Sequence, residues 1–134
     1  MPKPVILVVD DSEVLLDRIK HRLEQAEYVV ITTTQTVGAA RHLRTTNLVI
    51  IDWHMPGISG GEVLESFRAA SAGSATRPLF YLYTSDPMAA KEGKKLGFDG
   101  TFVDKGNDDS LVNQVAAALR IAKLKARAAD AKRK

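Results

Sequence analysis

Five short runs, Val5 to Val9, Val29 to Ile31, Leu48 to Ile51, Leu79 to Tyr83 and Phe102 to Val103, are apolar, rich in β-branched or aromatic residues, and lack the alternation of a strand wetted on one face. Strands of that kind are covered on both sides, which restricts the chain to a sheet sandwiched between helices. The segments between them supply the helices. Leu15, Ile19, Leu23 and Ala26 recur at helical spacing, as do Val37, Ala40 and Leu43, and then Val63, Leu64 and Phe67, so that each segment buries one stripe. A fourth helix is predicted over Pro87 to Leu96, stopped by Gly97. A fifth begins near Asp108 to Ser110, whose acids suit a helix N-terminus, and carries Leu111, Val115, Ala118, Leu119 and Ala122 along one side. Ser12 is a candidate N-cap, Pro56-Gly57 and Gly60-Gly61 break the chain, and "SAGSAT" before Arg77-Pro78 reads as a connector. Alternating strands and helices of these lengths imply right-handed crossovers, so the predicted class is α/β: a doubly wound, five-stranded parallel sheet with helices on both faces.

The 134 residues fit one domain, and no run approaches the roughly 20 apolar residues that span a bilayer, so no membrane insertion is expected. The apolar start "PVILVV" is cut off by an acidic pair with no small-residue cleavage site after it, which predicts a cytoplasmic chain; the absence of cysteine agrees. The net charge of +3 is uneven: seven Lys/Arg against Asp130 from Arg120 onward leave the rest at −3. We therefore divide the chain into a domain over residues 1–122 and a basic, helix-favouring extension over residues 123–134 whose end, Lys132 to Lys134, frays. A solvated helix end accounts for that extension; the alternative, weak nucleic-acid or membrane-surface contact, would fall steeply with salt.

In an open parallel sheet, ligands sit beyond the carboxyl ends of the strands. The first run ends in Asp10-Asp11, the third in Asp52, the fourth in Thr84-Ser85, and the fifth is followed by Asp104 and Lys105. Each alone has an ordinary structural explanation, a cap, a strand hydroxyl or a solvated cation. Together they bring acid, acid, hydroxyl and cation to one rim. Two carboxylates about 5 Å apart repel by roughly 3 kcal/mol at an effective dielectric near 20. Lys105 offsets one of the three negative charges, and a divalent cation would cancel the rest; all-oxygen ligation favours Mg2+. A carboxylate is a competent nucleophile toward phosphorus when a metal, a lysine and a hydroxyl steady the transferred oxygens. Asp52, followed by a Pro-Gly loop that frees its outer face, is the predicted phosphoacceptor. Asp11 is the direct metal ligand, Asp10 the outer or water-mediated one, and Thr84 and Lys105 hold the phosphoryl oxygens.

With this set in view, the chain resembles the CheY-like receiver domain of bacterial two-component response regulators, from "ILVVDDS" to the last helix, with "DWHMPG", Thr84 and "DKG" at matching places. The resemblance implies strand order 2-1-3-4-5, phosphorylation of Asp52 by a histidine kinase or phosphotransfer protein, and the backbone carbonyl of His54 as a further Mg2+ ligand beside Asp10, Asp11 and Asp52. It implies that Thr84 is the switch hydroxyl, that Phe102 is the aromatic whose rotation accompanies activation, and that His54 and Asp86 tune the phosphate lifetime. It also implies a signalling protein that promotes its own phosphorylation and dephosphorylation rather than an enzyme, a monomer or weak homodimer. Its face of fourth helix, fifth strand and fifth helix binds a downstream protein, or the phosphoryl group is relayed onward. The family's proline after the lysine is here Gly106; a cis bond to glycine costs about 2.5 to 4 kcal/mol, so a trans bond is expected, with Gly106 supplying the unusual backbone angles. Asp104 is expected to point to solvent, and Ser85, where alanine is commoner, to narrow access to Asp52. The competing reading is a phosphorylation-independent pseudo-receiver acting as an interaction module. An aspartyl-intermediate phosphatase is disfavoured because "DWH" lacks a D-x-D arrangement.

Overall fold

The computed structural model describes residues 3–36, 38–55, 57–72 and 77–133; Val37, Pro56, most of the "SAGSAT" connector and Lys134, all named above, lie outside them. Five parallel strands, β1 (Val5–Val9), β2 (Val29–Thr33), β3 (Leu48–Asp52), β4 (Leu79–Tyr83) and β5 (Gly100–Phe102), form one sheet in the order β2-β1-β3-β4-β5. This is the expected doubly wound arrangement. The helices are α1 (Glu13–Gln25), α2 (Gly60–Ser71), α3 (Pro87–Leu96) and α4 (Asp108–Arg133), with a 3₁₀ helix over Ala39–Thr45 between β2 and β3.

Period-two alternation divides each central strand between two cores. Ile6, Val8, Leu48 and Ile50 pack with Leu16, Ile19 and Leu23 of α1 and with Leu111 and Val115 of α4. Leu7, Val9, Val49 and Ile51 pack on the other face with Leu43 and with Val63, Leu64 and Phe67 of α2. Because both faces of β3 are covered, all five of its residues are buried, Asp52 included. The edge strands depart from the expectation of two-sided cover: Val29 is exposed, and Val103 is exposed and falls just outside β5, its backbone bonded to the Gln114 side chain of α4.

Local chemistry sets the element ends. Ser12 caps α1 by accepting from the Leu15 N–H. The paired glycines 60 and 61 do not end an element; they open α2, where Ser59 and Glu62 form a reciprocal capping box. Asp86 caps α3, Pro87 opens it and Gly97 closes it in the left-handed region. The second predicted helix is only a seven-residue 3₁₀ turn. Its cap, Gly38, offers no side-chain acceptor, and the Thr45 and Thr46 hydroxyls both donate to the His42 carbonyl, closing the segment early. A small hairpin, His54–Met55 against Ile58–Ser59, follows β3 and was not expected. Helix α4 stays helical to Arg133, although Ile121 and Leu124 are exposed and the side chains of residues 129–133 lie outside the described set. No described helix is long and apolar enough to cross a membrane.

Gly100 faces Tyr81 across the β4–β5 register, and a Cβ there would lie 2.5 Å from the Tyr81 ring. Tyr81 in turn stacks on Phe102 with ring centroids 4.4 Å apart. Gly100→Val is therefore expected to destabilise the fold by about 1 to 3 kcal/mol, as overpacking does. A urea midpoint unchanged from the parent would show that Tyr81 turns aside at no cost.

Candidate functional site

Parallel register brings the ends of β1, β3 and β4 and the loop after β5 to one edge. Asp10 follows β1 directly, Asp52 is the last residue of β3, Thr84 follows β4, and Lys105 sits on the turn between β5 and α4. Carboxylate oxygens of Asp10, Asp11 and Asp52 lie within 4.8 Å of one another, with Asp10 and Asp52 buried and Asp11 exposed. The Lys105 Nζ reaches into this cluster, donating to Asp52 Oδ1 at 2.7 Å and pairing with Asp10 Oδ2 at 3.1 Å. The other Asp10 oxygen accepts from the Ser12 N–H at 3.0 Å, so both of its oxygens are engaged.

Burial pushes the Asp10 carboxyl above its ordinary value; the Ser12 N–H opposes this, the Asp52 charge reinforces it, and the pull of Lys105 does not reverse it. For Lys105 the balance is opposite. Burial alone would lower it, but the hydrogen bond to Asp52 and the charges of Asp10 and Asp52 hold the ammonium above its usual value. A fixed cation thus faces carboxylates whose combined charge it only partly offsets. The all-oxygen donor set and the residual negative charge fit a small hard divalent cation.

The other predicted residues are placed as follows. Thr84 is buried at the rim, its Oγ1 accepting from the Asp86 N–H at 3.1 Å. Asp86 Oδ1 accepts from the Met88 N–H at 2.9 Å as the cap of α3. Phe102 points inward, 2% exposed and stacked on Tyr81. The His54 backbone belongs to the hairpin beyond Asp52; its side chain lies outside the described residues. Asp104 is exposed, as expected, with a positive φ and Oδ2 accepting from the Asn107 amide.

The lysine loop is held by groups that sequence reasoning missed. Gly106 has φ +101°, and no described peptide bond is cis. Ser85 does more than narrow an entrance: its Oγ accepts from the Lys105 N–H at 2.7 Å. The buried Tyr83 hydroxyl accepts from the Gly106 N–H at 3.1 Å, and the Lys105 ammonium lies 5.7 Å from the Tyr83 ring centroid. Arg18 of α1 donates to the Gly106 carbonyl and pairs with Asp108, tying the loop to the first helix. The replacement of proline by Gly106 was the available signal that another anchor is needed, though nothing local pointed to Tyr83 or Ser85. Ser85→Ala is expected to loosen the Lys105 loop while leaving the fold unchanged, because one backbone N–H reverts to water. Amide hydrogen exchange at Lys105 checks this, and an unaltered exchange rate would make the bond incidental.

A family model described as the response regulator receiver domain matches residues 6–116. The transcriptional regulatory protein YrkP of Bacillus subtilis (strain 168) is 32% identical over 117 residues, covering 86% of this chain and 49% of that protein. The phosphate regulon transcriptional regulatory protein PhoB of Rhizobium meliloti (strain 1021) is 29% identical over 122 residues, covering 90% and 54%. The chain thus spans about half the length of these curated relatives. Among solved structures, the chemotaxis protein CheY4 of Vibrio cholerae superposes with TM-score 0.72 at 24% identity, covering 86% of this chain and 98% of that one; at that identity the likeness concerns the fold.

Proposed function

The chain belongs to the response regulator receiver family of two-component systems, and on that premise we propose that it is a phosphoacceptor switch in which Asp52 takes a phosphoryl group from a histidine kinase or phosphotransfer protein. The observation that carries this reading is the contact of Lys105 with both Asp52 and Asp10 inside a cluster of three carboxylates at the strand ends.

Asp52 attacks the phosphorus of the donor phosphohistidine, the P–N bond breaks, and the imidazole leaves, giving an acyl phosphate on Asp52. Asp11 and Asp52, with the His54 carbonyl, would hold Mg2+ directly and Asp10 would hold it through water; the double engagement of the Asp10 oxygens supports that division. When bound, the ion shields the acids and steadies charge on the transferred oxygens. Lys105 moves its hydrogen bond from the carboxylate to a phosphoryl oxygen. Thr84 rotates its hydroxyl from the Asp86 N–H toward the same group, pulling on the loop that begins α3. Phe102 packs inward on Tyr81, and the phosphoryl group acts on this chain by favouring one such packing, a population shift read on the face of α3, β5 and α4. His54 and Asp86, two residues beyond Asp52 and Thr84, set the lifetime of the acyl phosphate. The receiver unit takes in residues 1–122, since α4 is buried at Leu111, Val115 and Ala118 and exposes Leu124, and 123–134 is the basic extension. The partner is a downstream protein, and the setting is the cytoplasm.

Incubation with acetyl phosphate and Mg2+, followed by intact mass, tests the proposal. One added phosphoryl group, absent when EDTA replaces Mg2+, is expected. No adduct would leave the fold as a phosphorylation-independent interaction module.

A further inference from the structure

At the opposite end of the sheet, by the amino ends of β1, β3 and β4, lies an open cavity of about 940 Å³. Its rim carries Arg44 from the 3₁₀ helix, Arg77 before β4, and Arg120 and Lys123 from α4, and no acid is among its lining residues. None of these four cations has a hydrogen-bond or ion-pair partner among the described residues, whereas Arg18, Arg22 and Arg68 are all engaged. Leu79 and Leu119, both half-buried, contribute apolar surface. The Asn47 amide presents a further donor: its Oδ1 is used by the Val5 N–H, and its NH2 group has no partner among the described residues. A donor-rich, acid-free concavity gathers positive charge on a domain whose body, outside the tail, is net negative.

We infer that this cavity binds an organic phosphate of nucleotide size, with the phosphates on the arginines and Lys123 and the flat body over Leu79 and Leu119. The volume falls within the range of small-molecule pockets, about 300 to 1,000 Å³, and exceeds what inorganic phosphate fills. Guanidinium groups pair with phosphate oxygens in a fork and stack on planar rings, so arginines serve both halves of such a ligand. The five-residue length of β1 separates this end of the sheet from Asp10 by about 16 Å, so occupancy does not compete with the acid cluster.

Calorimetric titration of the full chain with ATP in EDTA tests this. ATP is expected to bind about tenfold or more tightly than tripolyphosphate or adenosine alone, because each presents only half of the recognised chemistry. The pair Arg44→Ser and Arg77→Ser, combined, is expected to weaken ATP about tenfold or more while leaving the unfolding midpoint in place. Arg127→Ser, one helical turn beyond the cavity, is expected to change the affinity less than about twofold. The inference is overturned by no binding of ATP, ADP or GTP at millimolar concentration, by tripolyphosphate matching ATP, or by an unaffected double variant. Equal damage from Arg127→Ser would also overturn it, revealing a long polyanion lying along α4. None of these readouts depends on phosphorylation of Asp52, so the two readings fail separately.

Discussion

Replacing Asp52 by asparagine is expected to abolish incorporation of the phosphoryl group, at least about a thousandfold, while the protein remains folded. The amide keeps the shape and the acceptor oxygen that Lys105 binds at 2.7 Å, so the ammonium still has Asp52→Asn and Asp10 to contact. What disappears is the anionic nucleophile, and no nearby group replaces it: Asp10 has both oxygens committed, and Asp11 stands on the loop toward α1 rather than at the end of β3. Intact mass after incubation with acetyl phosphate and Mg2+ reads the result. Retention of a full adduct in Asp52→Asn would relocate the acceptor and remove the basis for the switch. Partial incorporation on Asp11 would have the same consequence, because it would show that position in the acid cluster, rather than the end of β3, selects the nucleophile.

The same cluster shows what a sequence discloses and what it hides. The central strands β1, β3 and β4 were legible because each is a continuous apolar run, whereas β5 proves to be Gly100–Phe102 and meets the expected run only at Phe102; α3 lies where Pro87 and Gly97, which act locally on backbone angles, placed it. The convergence of Asp10, Asp52 and Lys105 was legible through topology alone: residues 53 apart meet because parallel strands end at one edge. The 54–59 hairpin was hidden, since two-residue strands carry no periodicity. The second helix misled for the opposite reason: Ala40 and Leu43 have helical spacing, but an N-terminus without a side-chain cap and two competing threonine hydroxyls leave a 3₁₀ turn. Val103 was counted in a covered strand on its apolarity, yet the edge of the sheet leaves it in solvent. The anchors of the lysine loop, Ser85 and Tyr83, are side-chain bonds to backbone about twenty residues away, and such bonds leave no pattern in composition or spacing. The meeting of acids and lysine at one edge could thus be read from the strand ends, whereas the groups that hold the lysine loop could not.

Asp10→Asn is expected to move stability and metal affinity in opposite directions. Burial raises the Asp10 carboxyl above its ordinary value in the folded chain, the Ser12 N–H and Lys105 notwithstanding. A carboxyl raised in this way contributes stability that is complete below the unfolded value and is lost as pH climbs through the folded one. At neutral pH, without Mg2+, the ionised side chain is therefore a net cost, and the pH-dependent loss between those two values amounts to at most about 1.4 kcal/mol per pH unit for one proton. The asparagine has no such titration, can still accept from the Ser12 N–H, and leaves Lys105 paired with Asp52, so the variant in EDTA is expected to be the more stable protein at neutral pH, with the difference closing toward pH 4. Mg2+ reverses the order, because it favours the ionised carboxyl; its affinity is expected to fall about 10- to 100-fold in Asp10→Asn, the range for loss of an outer-shell partner. Thermal unfolding across pH, with and without Mg2+, reads both effects together. A variant less stable than the parent in EDTA at neutral pH would mean that the pairing of Asp10 with Lys105 outweighs the burial of its charge. Unchanged Mg2+ affinity would place the ion on Asp11 and Asp52 with no help from Asp10. The acid cluster is in this sense a stored instability that a bound divalent cation would relieve.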